Sequence, residues 1–367
     1  MKKGVFLLVT LGISVLFAGN SCSSVSYESN RQKIENSPQF NNGKFRNPEK
    51  WLQPPFLEML STSWDFLMTD NNREPKHELP RLVSDLSGYN QHGENRLNVT
   101  WLGHSSLLIN IDGYKIITDP VFEKSVSVVG PSRFNGEIPV TPDELTDIDA
   151  VVISHDHYDH LNKDSIKQLE PKTKRFFVPI GVGNRLLKWG VPAEKIVQLD
   201  WWEETKFDET LTLVSTPAQH FSGRGLFDRD KTLWSSWVIK TPQHRLFFSG
   251  DSGYFDGFKK IGEQYGPFDI TFLECGAYNE KWHYVHMYPE ETVQAHLDLK
   301  GNILHPIHWG TFNLSLHPWY DPMIRLTEAA RQAKVKTATP IVGDTTVYRE
   351  YIPARKWWDT EIALLKN

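Results

Sequence analysis

The chain has 367 residues, of which 39% are hydrophobic and 23% charged, with a formal net charge of -5. This is ordinary globular usage, enough for one large domain with an arm attached. The acidic balance, with no interleaving of basic and aromatic residues, excludes a general phosphate-backbone binder, so nucleic acid is not an expected partner. Two cysteines, Cys22 and Cys275, cannot build a disulfide framework, and Cys275 reads most simply as a small buried apolar residue.

Residues 1–22 read as an export leader. Lys2 and Lys3 precede an apolar run from Val5 to Ala18, which is shorter than the roughly 20 residues that span a bilayer. Gly19-Asn20-Ser21 then leads to Cys22, a candidate lipidation site of a bacterial lipoprotein. Those three residues depart from the usual Leu-Ala-Gly pattern, which leaves plain cleavage and a soluble periplasmic protein as the alternative. Either way the expected location is outside the cytoplasm, in the cell envelope, with a membrane surface as partner if Cys22 is acylated. Residues 23–96, rich in Asn, Pro and charge, read as an extended arm with one short helix.

A regular domain is expected over 97–352. Leu97 to His104 and Ser105 to Asn110 are β-rich, and Asp112-Gly113 turns the chain into Tyr114 to Asp119. The apolar run Ala150 to Ile153 is a buried strand that ends in Ser154-His155-Asp156-His157-Tyr158-Asp159-His160. Further strands are predicted at Arg175–Val178, Leu211–Ser215, Ser236–Lys240, Arg245–Ser249, Ile270–Leu273 and Asn302–His305. Helices are predicted at Lys163–Leu169, Val182–Trp189, Phe255–Tyr265, Pro289–Leu299 and Met323–Ala333. Alternating strands and helices with some adjacent strand pairs predict a mixed α/β sandwich. Residues 353–367 read as a tail.

His155, His157, Asp159 and His160, four donors within six residues, are of the kinds that a borderline ion such as Zn²⁺ accepts, and their crowding implies two ions. A His-rich surface loop is the plainer alternative. The remaining candidates each follow a predicted strand: His220 after Thr216-Pro217, Asp251 after Ser249-Gly250, and His308 after His305-Pro306-Ile307. Strand ends on one edge of an α/β sheet can meet in space. His155, His157 and His220 are expected at one ion, Asp159, His160 and His308 at the other, with Asp251 bridging. A water shared by the ions would have its pKa lowered to roughly 7 and serve as nucleophile. His104 and Asp119, beside predicted strands, could orient the ligands or be merely packed polar groups. His305 points across the sheet and reads as structural, most of the Trp residues as core, and His244 as a solvent-facing turn residue.

The series His-x-His-x-Asp-His, Thr216 to His220, Gly250-Asp251-Ser252-Gly253-Tyr254 and Ile307 to Phe312 resembles the metallo-β-lactamase fold superfamily. Asp200-Trp201-Trp202-Glu203-Glu204 and His308-Trp309-Gly310-Thr311-Phe312 resemble, more narrowly, the N-acylphosphatidylethanolamine-hydrolysing phospholipases D, from about Asn98 to Tyr348. The resemblance implies an αβ/βα four-layer sandwich with mixed sheets, carrying two Zn²⁺ at one edge. It also implies cleavage of the headgroup-side phosphodiester of a membrane phospholipid, giving phosphatidic acid and an N-acylethanolamine. It assigns catalytic roles to Asp159 and Asp251, and makes His286 a histidine near the metals that orients substrate or assists proton transfer; its other reading is a His at a helix start. Family members can dimerise, so a homodimer is possible. Val285 stands where the family has Gln, and the stretch from Trp282 to His286 is shorter, which reshapes the pocket wall. Two alternatives follow. One is a hydrolase of another ester on the same site, a lactonase or other phosphodiesterase; the other is a noncatalytic zinc-binding lipoprotein.

Overall fold

The computed structural model describes residues 30–49, most of 64–89, 96–127 and 130–365. The predicted leader and Cys22 lie outside the described residues. Two seven-stranded mixed sheets face each other. The first contains β1 (Leu97–Gly103), β2 (Ser106–Ile111), β3 (Tyr114–Thr118), β4 (Ile148–Val152), β5 (Thr173–Pro179) and β6 (Ile196–Leu199). The second contains β7 (Glu204–Lys206), β8 (Thr212–Thr216), β9 (Ser236–Lys240), β10 (Arg245–Phe248), β11 (Phe268–Glu274), β12 (Gly301–Ile307) and β13 (Lys336–Thr337). The last strand, β14 (Thr345–Val347), returns to the first sheet beside β1. Strand order is 14-1-2-3-4-5-6 in one sheet and 13-12-11-10-9-8-7 in the other.

Each sheet has three antiparallel pairings followed by three parallel ones. The antiparallel half is built from hairpins. At the β2–β3 turn Asp112 adopts φ +52° and Gly113 φ +92°, the left-handed pair that an Asp-Gly turn supplies. The parallel half needs crossovers, supplied in the first sheet by the long segment 119–147, α1 (Lys163–Leu169) and α2 (Gly183–Lys188). In the second they are α3 (Gly257–Tyr265), α4 (Pro289–Asp298) and α5 (Asp321–Ala333). α1 is capped by Asn162, whose side chain accepts from the N–H groups of Asp164 and Ser165.

Period-two alternation sorts the side chains. Ala150 and Val152 of β4 join the core between the sheets, while Val151 and the following Ile153 join a second cluster with Ile166 and Leu169 of α1 and Leu186 of α2. Strands buried on both faces explain why these segments read as continuous apolar runs. The four layers and mixed sheets expected from the sequence are present.

The described N-terminal part of the arm packs against the domain. Its hairpin, Phe40–Asn41 with Lys44–Phe45, covers Trp201, Leu233 and Trp234. The segment read as a tail carries α6 (Trp358–Leu365), and Trp357 stacks between Trp309 and Trp319 at ring distances of 5.3 and 6.1 Å. His244 corrects one expectation: it is buried, with Nδ1 at 3.0 Å from Asp112 Oδ1. The β9–β10 turn of one sheet docks on the β2–β3 turn of the other, so the residue faces protein rather than water. Among the described residues no helix is long and apolar enough to cross a membrane.

Candidate metal centre

The topology brings the candidate residues to one edge. β1, β3 and β4 run in one direction in the first sheet, and β8, β10, β11 and β12 share one direction in the second. Their C-terminal ends deliver His104, Asp119, the 155–160 segment, His220, Asp251, Glu274 and His308 to a common rim. Three of these residues adopt left-handed backbone without being glycine: His104 at φ +53°, Asp119 at +34° and His308 at +64°. Such conformations are held by surrounding structure and turn each side chain back across the strand ends. At Gly250, φ +56°, a Cβ would fall 2.3 Å from that of Ser154, so only glycine lets the loop before Asp251 approach the 155–160 segment.

Two groups of donors result. His157 Nδ1 lies 2.8 Å from His155 Nε2 and 3.3 Å from His220 Nε2. In the second, Asp159 Oδ2 lies 3.0 Å from His104 Nε2, 3.3 Å from His160 Nε2 and 3.5 Å from His308 Nε2. Asp251 stands between them. Its Oδ2 is 3.1 Å from the Nε2 atoms of both His160 and His308, 3.7 Å from that of His220 and 3.9 Å from that of His155. The structure brings the residues assigned from sequence to two triads and a shared aspartate close together, and places His104 beside Asp159 in the second group.

The rings are fixed from outside. Asp119 accepts from Ser154 N and Oγ and from His160 Nδ1 at 2.7 Å, leaving His160 Nε2 turned toward the cluster. His220 Nδ1 donates to the Val285 carbonyl at 3.0 Å, and its own backbone is bracketed by Asn47 of the arm, which donates to His220 O and accepts from His220 N. Sequence reasoning did not find Asn47, since nothing local marks it. It also missed Glu274, wholly buried at the end of β11. Glu274 Oε1 accepts from the N–H groups of Ser252 and Met287, and Oε2 lies 2.7 Å from His286 Nδ1. His286 therefore does not serve the start of α4, where Glu291 accepts from Tyr288 N instead. Its ring lies 5.1 Å from that of His220 and 5.3 Å from that of His308. His305 contacts Trp101 and Phe272 and belongs to the core.

The electrostatics suit cations. Burial holds His155 and His220 well below the usual imidazole range, so they are neutral with a lone pair to offer. Burial also lowers His308, but the Asp251 and Asp159 carboxylates outweigh it and push that imidazole up to about 10. His160 is raised for the same reason. Two buried carboxylates thus draw positive charge to this spot, and among the described residues Asp251 Oδ1 has no hydrogen-bond partner, while His160 Nε2 and His308 Nε2 face only carboxylate oxygens of Asp159 and Asp251. Nitrogens 2.0–2.1 Å from a tetrahedral ion are separated by about 3.3 Å, the spacing between His157 and His220, while His155 stands closer to His157 at 2.8 Å. The donor set fits metal ions. Cys275 takes no part: it is buried and burial pushes its thiol far up.

Comparison with known proteins agrees with this geometry. The beta-lactamase superfamily domain matches residues 114–309. An uncharacterized protein of Mycobacterium tuberculosis is 40% identical over 98% of this chain and 96% of its own. N-acyl-phosphatidylethanolamine-hydrolyzing phospholipase D 1 of Caenorhabditis elegans is 37% identical over 78% of this chain and 86% of its own. Igni18, a metallo hydrolase from Ignicoccus hospitalis, superimposes with a TM-score of 0.53 at 22% identity, covering 70% of this chain and all of that one, a likeness of fold. With two seven-stranded mixed sheets, a His/Asp cluster at their common rim and relatives that extend along its length, the chain belongs to the metallo-β-lactamase superfamily of metal-dependent hydrolases and resembles, within it, the N-acylphosphatidylethanolamine-hydrolysing phospholipases D.

Proposed function

We propose that this protein is a two-zinc phosphodiesterase of phospholipase D type, hydrolysing N-acylphosphatidylethanolamine to an N-acylethanolamine and phosphatidic acid. The observation that carries the two-ion part is the position of Asp251 Oδ2, within 3.1–3.9 Å of imidazoles from both donor groups. The Caenorhabditis relative supports the substrate. His155, His157 and His220 would hold one ion, and Asp159, His160 and His308, joined by His104, the other. The chemistry that two such cations supply when bound is Lewis-acidic: they neutralise phosphate charge and lower the pKa of water.

The chain's own residues do the rest. Asp119 aims His160, Asn47 and the Val285 carbonyl aim His220, and Glu274 aims His286 with its Nδ1–H engaged, so that the Nε2 lone pair can take a proton from the attacking water and pass it to the departing alkoxide. Against His104 and His308 lies a small pocket of about 20 Å³ lined by Phe134, Phe312 and Leu314, with Arg73 on its wall. Arg73 Nη1 has no partner among the described residues and suits a phosphate oxygen. We place the protein in the cell envelope, held at a membrane surface through Cys22.

A second reading, a hydrolase of another ester, is favoured by one feature. Val285, in place of the family's Gln, is buried beside His220 and offers the pocket only its carbonyl, already used by His220 Nδ1. The test is the zinc-loaded protein with mixed micelles of N-acylphosphatidylethanolamine, read by mass spectrometry, with Asp251→Asn as control. Equal amounts of both products from the wild type alone support the phospholipase D reading. Two bound metals without products direct the search to lactones and other phosphodiesters.

A further inference from the structure

Directly after His220 the chain makes a tight excursion from Gly223 to Asp230, whose tip carries Leu226 and Phe227 at 92% and 93% exposure. No other large apolar side chain among the described residues exceeds 78%. Single exposed leucines are common, but two adjacent large apolar side chains held wholly in water need an explanation. The loop is clamped at its base. Asp228 Oδ1 accepts from the N–H groups of Arg224 at 3.0 Å and Gly225 at 2.7 Å, and its Oδ2 accepts from Arg185 at 2.8 Å. Gly223 donates to Asp156 at 2.8 Å and sits at φ +138°, where a Cβ would come within 3.1 Å of Arg229 Cα. The clamp keeps the tip raised instead of letting it fold onto the body.

The base of the same loop packs on the segment that carries the candidate ligands. Tyr158, between His157 and Asp159, donates its hydroxyl to the Arg224 carbonyl at 3.1 Å, and the Arg224 guanidinium lies 3.8 Å over its ring. We propose that the Leu226–Phe227 loop is a membrane wedge, which enters the acyl layer of a phospholipid bilayer and seats the metal centre at the headgroup plane. This rests on the lipid-substrate reading above.

Two observations favour a bilayer over a protein partner. The described chain begins at Asn30, whose Nδ2 donates to Asn184 Oδ1 at 2.9 Å, and the next residue, Arg185, is the one that clamps Asp228. Cys22 lies eight residues before Asn30, a reach of at most ~28 Å, so an anchor there and the raised loop serve the same edge. A protein partner would need about 800 Å² of complementary surface on each side. Two side chains on a narrow tip offer a small part of that, whereas lipid accepts an apolar tip without matching its shape.

The test uses the full chain with Cys22→Ser and Phe227→Cys, labelled at position 227 with an environment-sensitive fluorophore and added to phosphatidylethanolamine–phosphatidylglycerol vesicles. Cys275 is buried and does not compete for label. Leu297→Cys, on α4, is the control. A blue shift and quenching by acyl-chain bromines at 227 but not at 297 is the expected result. Label at 227 that stays in water on vesicle-bound protein overturns the proposal, as does failure to bind vesicles. So does a shift that follows protein concentration without lipid, which would mark a contact between copies. Phe227→Ser should slow turnover of vesicle-embedded substrate about tenfold or more and leave a soluble short-chain phosphodiester unaffected. Insertion without turnover of N-acylphosphatidylethanolamine would sink the substrate reading alone, and turnover without insertion would sink the wedge alone.

Discussion

Asp251 offers one carboxylate oxygen to four imidazoles, so a change that keeps its size and removes its charge separates chemistry from packing. Asp251→Asn, and likewise His160→Ala, should lower kcat at least about 100-fold with a near-native circular dichroism spectrum. Turnover close to wild type in either variant would rule out the two-metal site. Glu274→Gln is subtler. The amide oxygen can still accept from Ser252 and Met287, but the amide N–H₂ then faces His286 Nδ1 and moves the imidazole proton to Nε2. A fall in kcat of about 10- to 100-fold with KM and the urea midpoint unchanged is expected; a rise in KM instead would put Glu274 in substrate binding. The residues legible in the sequence were those packed into 155–160 or placed just past a predicted strand. Glu274 was not, because the last residue of a buried strand carries no local mark of the ring it meets. His104 was legible only as a neighbour, since its place beside Asp159 depends on a left-handed backbone turn.

At the scale of elements, α6 and the residue before it support the rim. Trp357 stacks on Trp309, the residue after His308, and on Trp319. Trp357→Ala should cost about 3–5 kcal/mol in urea unfolding, because the surrounding rings cannot close the space. A loss below 1 kcal/mol would mean that α6 is an appendage. The principal strands and crossover helices were legible from period and length, and most fall within two residues of their predicted positions. The missed ones explain themselves. β7 is three residues, Glu204 to Lys206, with no apolar alternation, and is a strand only because β8 pairs with it. α6 begins at the second of two adjacent tryptophans, shortly after Pro353, a setting with no helical stripe to read. His244 was misread because a hairpin tip was assumed to meet water.

For the whole molecule, burial leaves proton-linked stability that can be measured. His296, hydrogen-bonded to Thr271, is pushed down to about 4, and His305 to about 3, both by burial. Each binds its proton less readily folded than unfolded. The stability these two groups carry should therefore be fully present above pH 6.5 and fall as pH drops from 6.5 toward 4, by up to about 1.4 kcal/mol per unit for each histidine. Urea midpoints at pH 7 and 4.5 test this, and His296→Gln should flatten the slope; an unchanged slope would exclude His296. Chelation should lower Tm and excess zinc restore it, since a bound ion favours only the state that holds it. Every donor group draws on both sheets: His155 and His157 meet His220 across the seam, and Asp159, His160 and His104 meet His308. Neither sheet owns a complete set of ligands. Were the protein divided between β6 and β7, each fragment would be a poor chelator alone, and a divalent cation would act as the rivet that rejoins them, so affinity for metal doubles as a gauge of how tightly the two halves are closed.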